Sequence, residues 1–307
     1  MRLNKIDKEL LSQISDLHSV EQGSYSFRKN GEGVAINSNT DIQIVKKTDK
    51  PGIDIFVKPN VKNKSMHLPV IITQGGITDK VYNDFYIGEN ADVLIVAGCG
   101  IHNSSNKQSE HNGIHSFHLA KNSKVRYVEK HLGLGDNTSG KVLNPETKID
   151  MDENSSLTME TSQLGGVTYS DRKTNAKLKA NAKLLIKESI LTTQKQTAKT
   201  KFVVELVGDG SSVEVKSRSV AKDNSYQEFI SNIKGKADCY GHVECDGIID
   251  GGAHIISTPQ ISALNPNANL VHEAQVGKIA GEQLDKLMTL GLTKDEACDK
   301  IIAGYLK

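Results

Sequence analysis

The sequence has no tryptophan, and aromatic residues make up only 5% of its 307 positions. That scarcity argues against a stacking platform for nucleobases or sugar rings. An excess of charge is missing too: 38 basic and 37 acidic side chains leave a formal net charge of +1. Such a balance gives no field to steer nucleic acid or to hold an anionic lipid surface. No apolar run approaches the ~20 residues that span a bilayer. The opening MRLNKIDKELLSQISDL lacks the apolar centre of a secretion signal. A cytoplasmic protein with neither nucleic-acid nor membrane partners is the expectation. Cysteine is sparse, with Cys99, Cys239, Cys245 and Cys298 too scattered for a disulfide framework. Also absent are a P-loop, a GxGxxG opening a helix, a GxSxG and an HExxH. The short glycine clusters at 133–136, 165–166 and 251–252 read as corners rather than phosphate loops.

What is present is a strand-rich texture with a repeat. Residues 3–18 predict a short helix, because Leu3, Ile6, Leu10, Leu11 and Ile14 fall on one face. Gly23 to Gly33 reads as a loop or weak hairpin. From Val34 onward, short β-branched runs such as IDIFVKP and LPVIITQ are cut by Asn, Asp, Pro and Gly. A unit then recurs: a turn residue, Ala or Ser, any residue, and a short alternating strand. It begins at Asn90, Asn122, Asn154, Asn181 and Gly210, with steps of 32, 32, 27 and 29 residues. Gly252 and Asn267 start weaker copies. Such periods mean stacked supersecondary units, with Asn or Gly supplying a left-handed corner. Stacking would bury the inward residues of successive coils in one core. The fold expected is mainly β, a parallel β-helix, with a twisted sandwich as the alternative. The end is helical: KIAGEQLDKLMTLG closes at Gly291, and a capping box opens a last helix at Thr293 and Glu296. These helices either cap an open coil end or offer a groove to a partner. The expected divisions are an N-terminal helical and loop segment at 1–33, a β-helix core at 34–275 and a C-terminal helical segment at 276–307.

Two stretches carry candidate chemistry. In the first, Cys99 lies between Gly98 and Gly100 and is followed by His102, His111, His115 and His118. The glycines would let the backbone turn and leave the sulfur accessible. A thiol among imidazoles could hold a transition metal or lose its proton more easily. The spacing fits no zinc-knuckle pattern, and alternation puts His115 on the side of Phe117 and Leu119, which suggests packing. The second stretch runs from Cys245 to Glu273 and combines a thiol, two imidazoles and several carboxylates. On one strand Cys239 and Cys245 would share a face about 20 Å apart. His272 and Glu273 are adjacent, so they point to opposite faces. Cys298 reads as a small packed residue.

At these residues the chain resembles the SufB/SufD family, the scaffold subunits of the SUF iron–sulfur cluster assembly system. The resemblance runs from about Val93 to the C-terminus. Its specific text is ECD at 244–246, GAH at 252–254, NPNANLVHEA at 265–274, GKI at 277–279 and the EQLDKLMTLGLTKDEA helix pair. The Gly-Cys at 98–99, followed by KNSKVRYVEKH, is similar to a second landmark. The resemblance implies a right-handed parallel β-helix whose C-terminal helices dock an ABC-type ATPase, SufC, where ATP hydrolysis resides. It implies a scaffold rather than an enzyme, holding a transient cluster of the 4Fe–4S type. Cys245, His272 and Glu273 are the implied cluster and metal ligands. Cys99 is implied to receive or relay sulfur, with His111 beside that landmark. The retained His-Glu pair favours SufB over SufD character. Departures are Gly100-Ile101-His102 where SufB has Thr-Ala-Pro, and Val271 in place of a carboxylate. The short form is similar to the single scaffold chains of minimal two-component systems, which implies a homodimer through the C-terminal coils, serving recipient apo-proteins. Two rivals stand beside it: a SufD-like assembly subunit that binds no cluster, and a β-solenoid carbohydrate-active enzyme.

Overall fold

The structure is a computed structural model that describes residues 3–15, 23–136 and 139–306. It is a β-solenoid of about eight turns. Two ten-stranded sheets face each other, and successive strands of the chain alternate between them for most of its length. The pairings along each sheet are parallel and in register, for example Ser156–Leu164 beside Lys183–Thr192. Only the first coils differ. Ser24–Lys29 pairs antiparallel with Glu32–Asn37, and Ile42–Lys46 with Gly52–Val57. These hairpins close the N-terminal end, so the observed body starts ten residues before Val34 and its last strand runs to Gly277. A sandwich without a repeat is excluded by the parallel register.

The repeat is explained by its corners. Asn90, Asn122, Asn154, Asn181 and Gly210 all have positive φ, between 55° and 71°. Each turns the chain from the second sheet into the first, and each backbone N–H donates to a carbonyl of the next coil, as from Asn122 to Glu153. The following small residue is fully buried: Ala91, Ser123, Ser155, Ala182 and Ser211 all have 0% exposure. A larger side chain would not fit where the two sheets meet. The weaker copy at Gly252 belongs to the opposite corner, where Gln194, Asp223 and Gly251 take the positive φ; Asn267 does not take it.

Between the sheets lies one continuous apolar core, from Ile42 and Ile55 through Phe117 and Tyr127 to Val243. Alternation along each strand produces it, with inward residues buried and outward ones solvated. Helix α1 (Lys5–Ser15) lies on the outer face of the first sheet, burying Leu10, Leu11 and Ile14 against Phe27 and Ile71. The part of the expected helix beyond Ser15 falls outside the described residues. At the other end the solenoid stays open. Strands His254–Ala263 and Asn269–Gly277 are the edges of the two sheets, and Ile261 and Val276 on their inner faces are 44% and 42% exposed.

Helices α2 (Gly281–Thr289) and α3 (Lys294–Tyr305) pack on each other. Thr293 and Glu296 form the expected capping box, and Gly291 ends α2 at a φ of 94°. Their tie to the solenoid runs along its side, where Arg218 donates to the Tyr305 carbonyl at 3.1 Å. They leave the open coil end exposed, and α2 buries none of its residues.

One glycine reports how α1 is seated. A Cβ at Gly98 would lie 2.5 Å from the Ile14 carbonyl oxygen. Gly98→Ala should therefore lift α1 and lower stability by about 1–3 kcal/mol. Hydrogen exchange should speed up across residues 5–15 while residues 183–249 keep their protection. Unchanged exchange in α1 would contradict this seating.

Candidate functional site

Parallel register turns a sequence pattern into files of side chains along the solenoid axis. On the inner face of the first sheet, Glu129, Thr161, Glu188, Ser217 and Cys245 are successive neighbours. The adjoining inner file holds Cys99, His131 and Gln163. A band of polar residues thus runs through an otherwise apolar interior. Cys99 and Cys245 stand near its two ends on the same sheet, five strand steps apart, which is about 24 Å.

Charges in this band are paired across the core. Arg172 reaches over from the second sheet and donates to Glu129 at 2.7 Å. Its Nε lies 3.5 Å from Glu188, and a third guanidinium nitrogen contacts His131 Nδ1 at 3.2 Å. The Tyr127 hydroxyl donates to the other oxygen of Glu129 at 2.8 Å. Burial raises the Glu129 carboxyl, but His131 and Arg172 reverse this and hold it well below the usual range. Glu188 is pushed up by burial, against Arg172 and the hydroxyls of Thr200 and Ser217. Removing Arg172 would leave two buried carboxylates without a counter-charge, a change that typically costs about 3–5 kcal/mol.

The Cys99 end departs from the sequence expectation. Cys99 is 2% exposed in mid-strand, so its sulfur is not accessible. Gly98 and Gly100 serve the close approach of α1 behind the strand: a Cβ at Gly100 would lie 2.8 Å from Leu10. Burial pushes the Cys99 thiol well up, and Asp79 and Glu129 add to this. His111 is also buried. Its Nδ1 contacts Asp79 at 3.1 Å, and Arg28 holds the same carboxylate at 2.7 Å. Burial works against these partners, which nevertheless bring Asp79 down to about 2. His115 packs against Phe85 and Tyr127, as its alternation suggested. His118 lies outside, stacked on Tyr86 at 5.0 Å, and His102 is half-buried at the end of the Cys99 strand.

The Cys245 end lies at the open coil. Cys245 faces inward and is 5% exposed. Its thiol is pushed up to about 12, chiefly by burial, with Glu188, Asp246 and Glu244 adding to it. His272 sits on the next strand, opposite Val243, so it shares the inner face diagonally with Cys245, about 8 Å away between Cα atoms. Ser231 Oγ contacts His272 Nδ1 at 3.2 Å, and His272 Nε2 is buried without a partner. Burial and His242 lower the basicity of His272, leaving a neutral imidazole with one free nitrogen. Glu273 points outward instead, 3.8 Å from His242 and next to Glu244 in register. One chain therefore brings Cys245 and His272 to a common face and sets Glu273 on the other side of the wall. Among the described residues, no three His, Cys, Asp or Glu side chains converge tightly enough to hold a metal ion. Cys239, at the corner before this strand, is buried in the core, and Cys298 is half-buried on α3.

Sequence reading missed Asp79, Glu129, Arg172 and Glu188. The signal was available in the alternation. In KVRYVEKHL, Glu129 occupies the same phase as the buried Val125 and Tyr127, and in KLLIKESIL, Glu188 occupies that of Leu184 and Ile186.

Fold and site together define a β-solenoid with a band of buried polar residues in its interior, including Cys99, His131, Glu129, Glu188 and Cys245, that runs toward one open end. The chain belongs to the family described as "SUF system FeS cluster assembly, SufBD core domain", whose model matches residues 82–305. It is similar to an iron–sulfur cluster assembly SufBD family protein of Methanocaldococcus jannaschii, at 28% identity over 82% of this chain and 79% of that one. A SufBD family protein of Pyrococcus horikoshii is 25% identical over 100% of this chain and 99% of its own length. The Bacillus subtilis iron–sulfur cluster assembly protein SufB is 30% identical, over 30% of this chain and 20% of that one. Membership assigns a role in iron–sulfur cluster assembly and sets aside the carbohydrate-active alternative. Among the described residues, no helix is long and apolar enough to cross a membrane.

The buried imidazoles make stability depend on pH. Burial holds His115 down to about 4, against an ordinary value of 6.5. Above pH 6.5 the ring is neutral folded and unfolded; between 6.5 and about 4 only the unfolded chain takes up the proton. Stability should therefore fall by about 3 kcal/mol across that window. His115→Leu should flatten the dependence of the urea midpoint on pH; an unchanged slope would contradict a buried neutral His115.

Proposed function

We propose that this protein is a scaffold on which an iron–sulfur cluster is built and from which it is released. The observation that carries this reading is the placement of Cys245 and His272 on one inner face at the open end of the solenoid. There a soft sulfur ligand, which gives up its proton to the incoming metal, and a neutral imidazole nitrogen without a partner can receive iron. A mixed and incomplete ligand set suits cargo that must leave again, whereas a closed four-thiolate site favours retention.

A second copy of the chain would complete the seat. The edge strands at the open end have unpaired backbone groups and expose apolar inner residues such as Ile261 and Val276, a combination that invites strand-to-strand association. Glu273 from one copy would then meet the Cys245 end of the other. Cys99 and His111 belong to the supply of sulfur in this account rather than to the cluster seat. The polar band lies between the two ends. Helices α2 and α3 would be the grip for an ABC-type ATPase: Met288 and Leu290 are 42% and 75% exposed, and the pair is tied to the solenoid at one side only. Closure of that partner would strain the open end and release the cluster. A 4Fe–4S cluster fits the resemblance on which this part of the reading rests.

A second reading is a SufD-like subunit that shapes the ATPase and binds no cluster. The burial of Cys245 as a thiol favours it. Anaerobic reconstitution of the 307-residue chain with ferrous iron and sulfide separates the two. The scaffold reading expects a brown protein with visible absorption, reduced at least fivefold in Cys245→Ala while the circular dichroism stays unchanged. A colourless wild type, or full iron content in the variant, would remove Cys245 from the seat.

A further inference from the structure

His272 and Ser231 are polar residues in apolar files, and each is the other's partner. Along the inner face of the first sheet, Ile186, Val215, Val243 and His272 are successive neighbours. On the facing sheet, Ser231 stands between Phe202 and Pro259. Ser231 is 1% exposed. Its Oγ meets His272 Nδ1 from the opposite sheet at 3.2 Å. Among the described residues the hydroxyl makes no other hydrogen bond. On the far side of the ring, Nε2 is buried without a partner, although nearly all buried polar groups in folded proteins have one.

The identity of this partner matters. A histidine that binds metal through one nitrogen usually gives its other N–H to a carboxylate or a carbonyl. Those groups only accept, so they hold the ring in one tautomer. A hydroxyl both donates and accepts. With no metal present, Ser231 can donate to Nδ1 while Nε2 carries the ring hydrogen. That form leaves one group unpaired, the Nε2–H. The other tautomer would leave two, the hydroxyl hydrogen and the Nε2 lone pair. Once a metal takes the Nε2 lone pair, the balance reverses: the hydrogen sits on Nδ1 and Ser231 accepts it.

We propose that Ser231 is a positioning residue for His272, a hydroxyl that turns from donor to acceptor as the imidazole takes up metal and turns back as it lets go. This rests on the scaffold reading above. In the exchange one proton leaves Nε2 for water, one reaches Nδ1 from water, and the Nε2 electron pair forms the bond to the metal. The ring is neutral before and after, and nothing is oxidised or reduced. The contact between Ser231 and His272 is kept in both states, so neither is locked. That suits a ligand whose cargo must leave. A carboxylate in the same place would fix the binding tautomer and favour retention.

Nitrogen NMR of the 307-residue chain with isotope-labelled histidine, without metal and with added zinc ions, tests this. Zinc is the diamagnetic stand-in for ferrous iron, and the His272 signals are identified by their loss in His272→Ala. The metal-free chain should carry the hydrogen on Nε2. Zinc should move it to Nδ1 and ligate Nε2. Read from the same signals, zinc should bind about tenfold or more weakly in Ser231→Ala, and Ser231→Thr should restore the affinity. Three results would overturn the proposal: a hydrogen already on Nδ1 without metal, a His272 spectrum that zinc leaves unchanged, or equal affinity in Ser231→Ala. Iron and sulfide reconstitution of the same preparation keeps the two readings apart. Tautomer exchange without a cluster would refute the scaffold and leave the role of Ser231 standing. A cluster on a chain whose His272 does not exchange would refute the role of Ser231 alone.

Discussion

The interior of this solenoid depends on one ion network: Arg172 held between Glu129 and Glu188. Each of the three groups is buried, so each is tolerable only because the others are present. Replacing all three with apolar residues would give an ordinary β-helix core, of the kind the chain already has around Phe117 and Ile186. That the chain instead places a guanidinium and two carboxylates there keeps a polar band through the centre of the fold. Tyr127, His131, Thr200 and Ser217 are arranged around that network, satisfying its remaining lone pairs and protons.

The network is possible because register is strict. In a parallel solenoid a residue meets its counterpart in the next coil about 4.8 Å away, so a polar residue in the inward phase of one strand is stranded unless its neighbours in file are polar too. Glu129, Thr161, Glu188, Ser217 and Cys245 meet that condition in five consecutive strands. A slip of one residue would turn the whole file to solvent. The Asn corners guard against such a slip, because each left-handed turn fixes where its strand begins.

Much of the architecture was legible in the chain. The Asn-Ala/Ser corners announced both the repeat and its backbone conformation, and the capping box at Thr293 announced the last helix. What misled was Gly98-Cys99-Gly100. Flanking glycines were read as freedom for the backbone to expose the sulfur, but they mark where a helix backbone and side chain press on the strand. Only the tertiary position of α1 distinguishes the two meanings. The His272–Glu273 pair was read correctly as pointing to opposite faces, and no local rule could say which face holds Cys245. The buried charges went unseen because polar residues in an alternating strand are assigned to solvent by default. Their phase against Val125 and Tyr127, or against Leu184 and Ile186, was the evidence that they point inward.

Function follows from where the band ends. At one end it meets a buried thiol, and at the other it meets a thiol and an imidazole on the inner face of an unfinished coil. The central claim is that His272, with Cys245, holds iron there. Pulsed electron paramagnetic resonance of the anaerobically assembled, reduced protein tests it most directly. The account predicts a strongly coupled histidine nitrogen that disappears in His272→Ala and survives in His242→Ala. A cluster signal whose nitrogen coupling is absent from the wild type, or unchanged in His272→Ala, would contradict it.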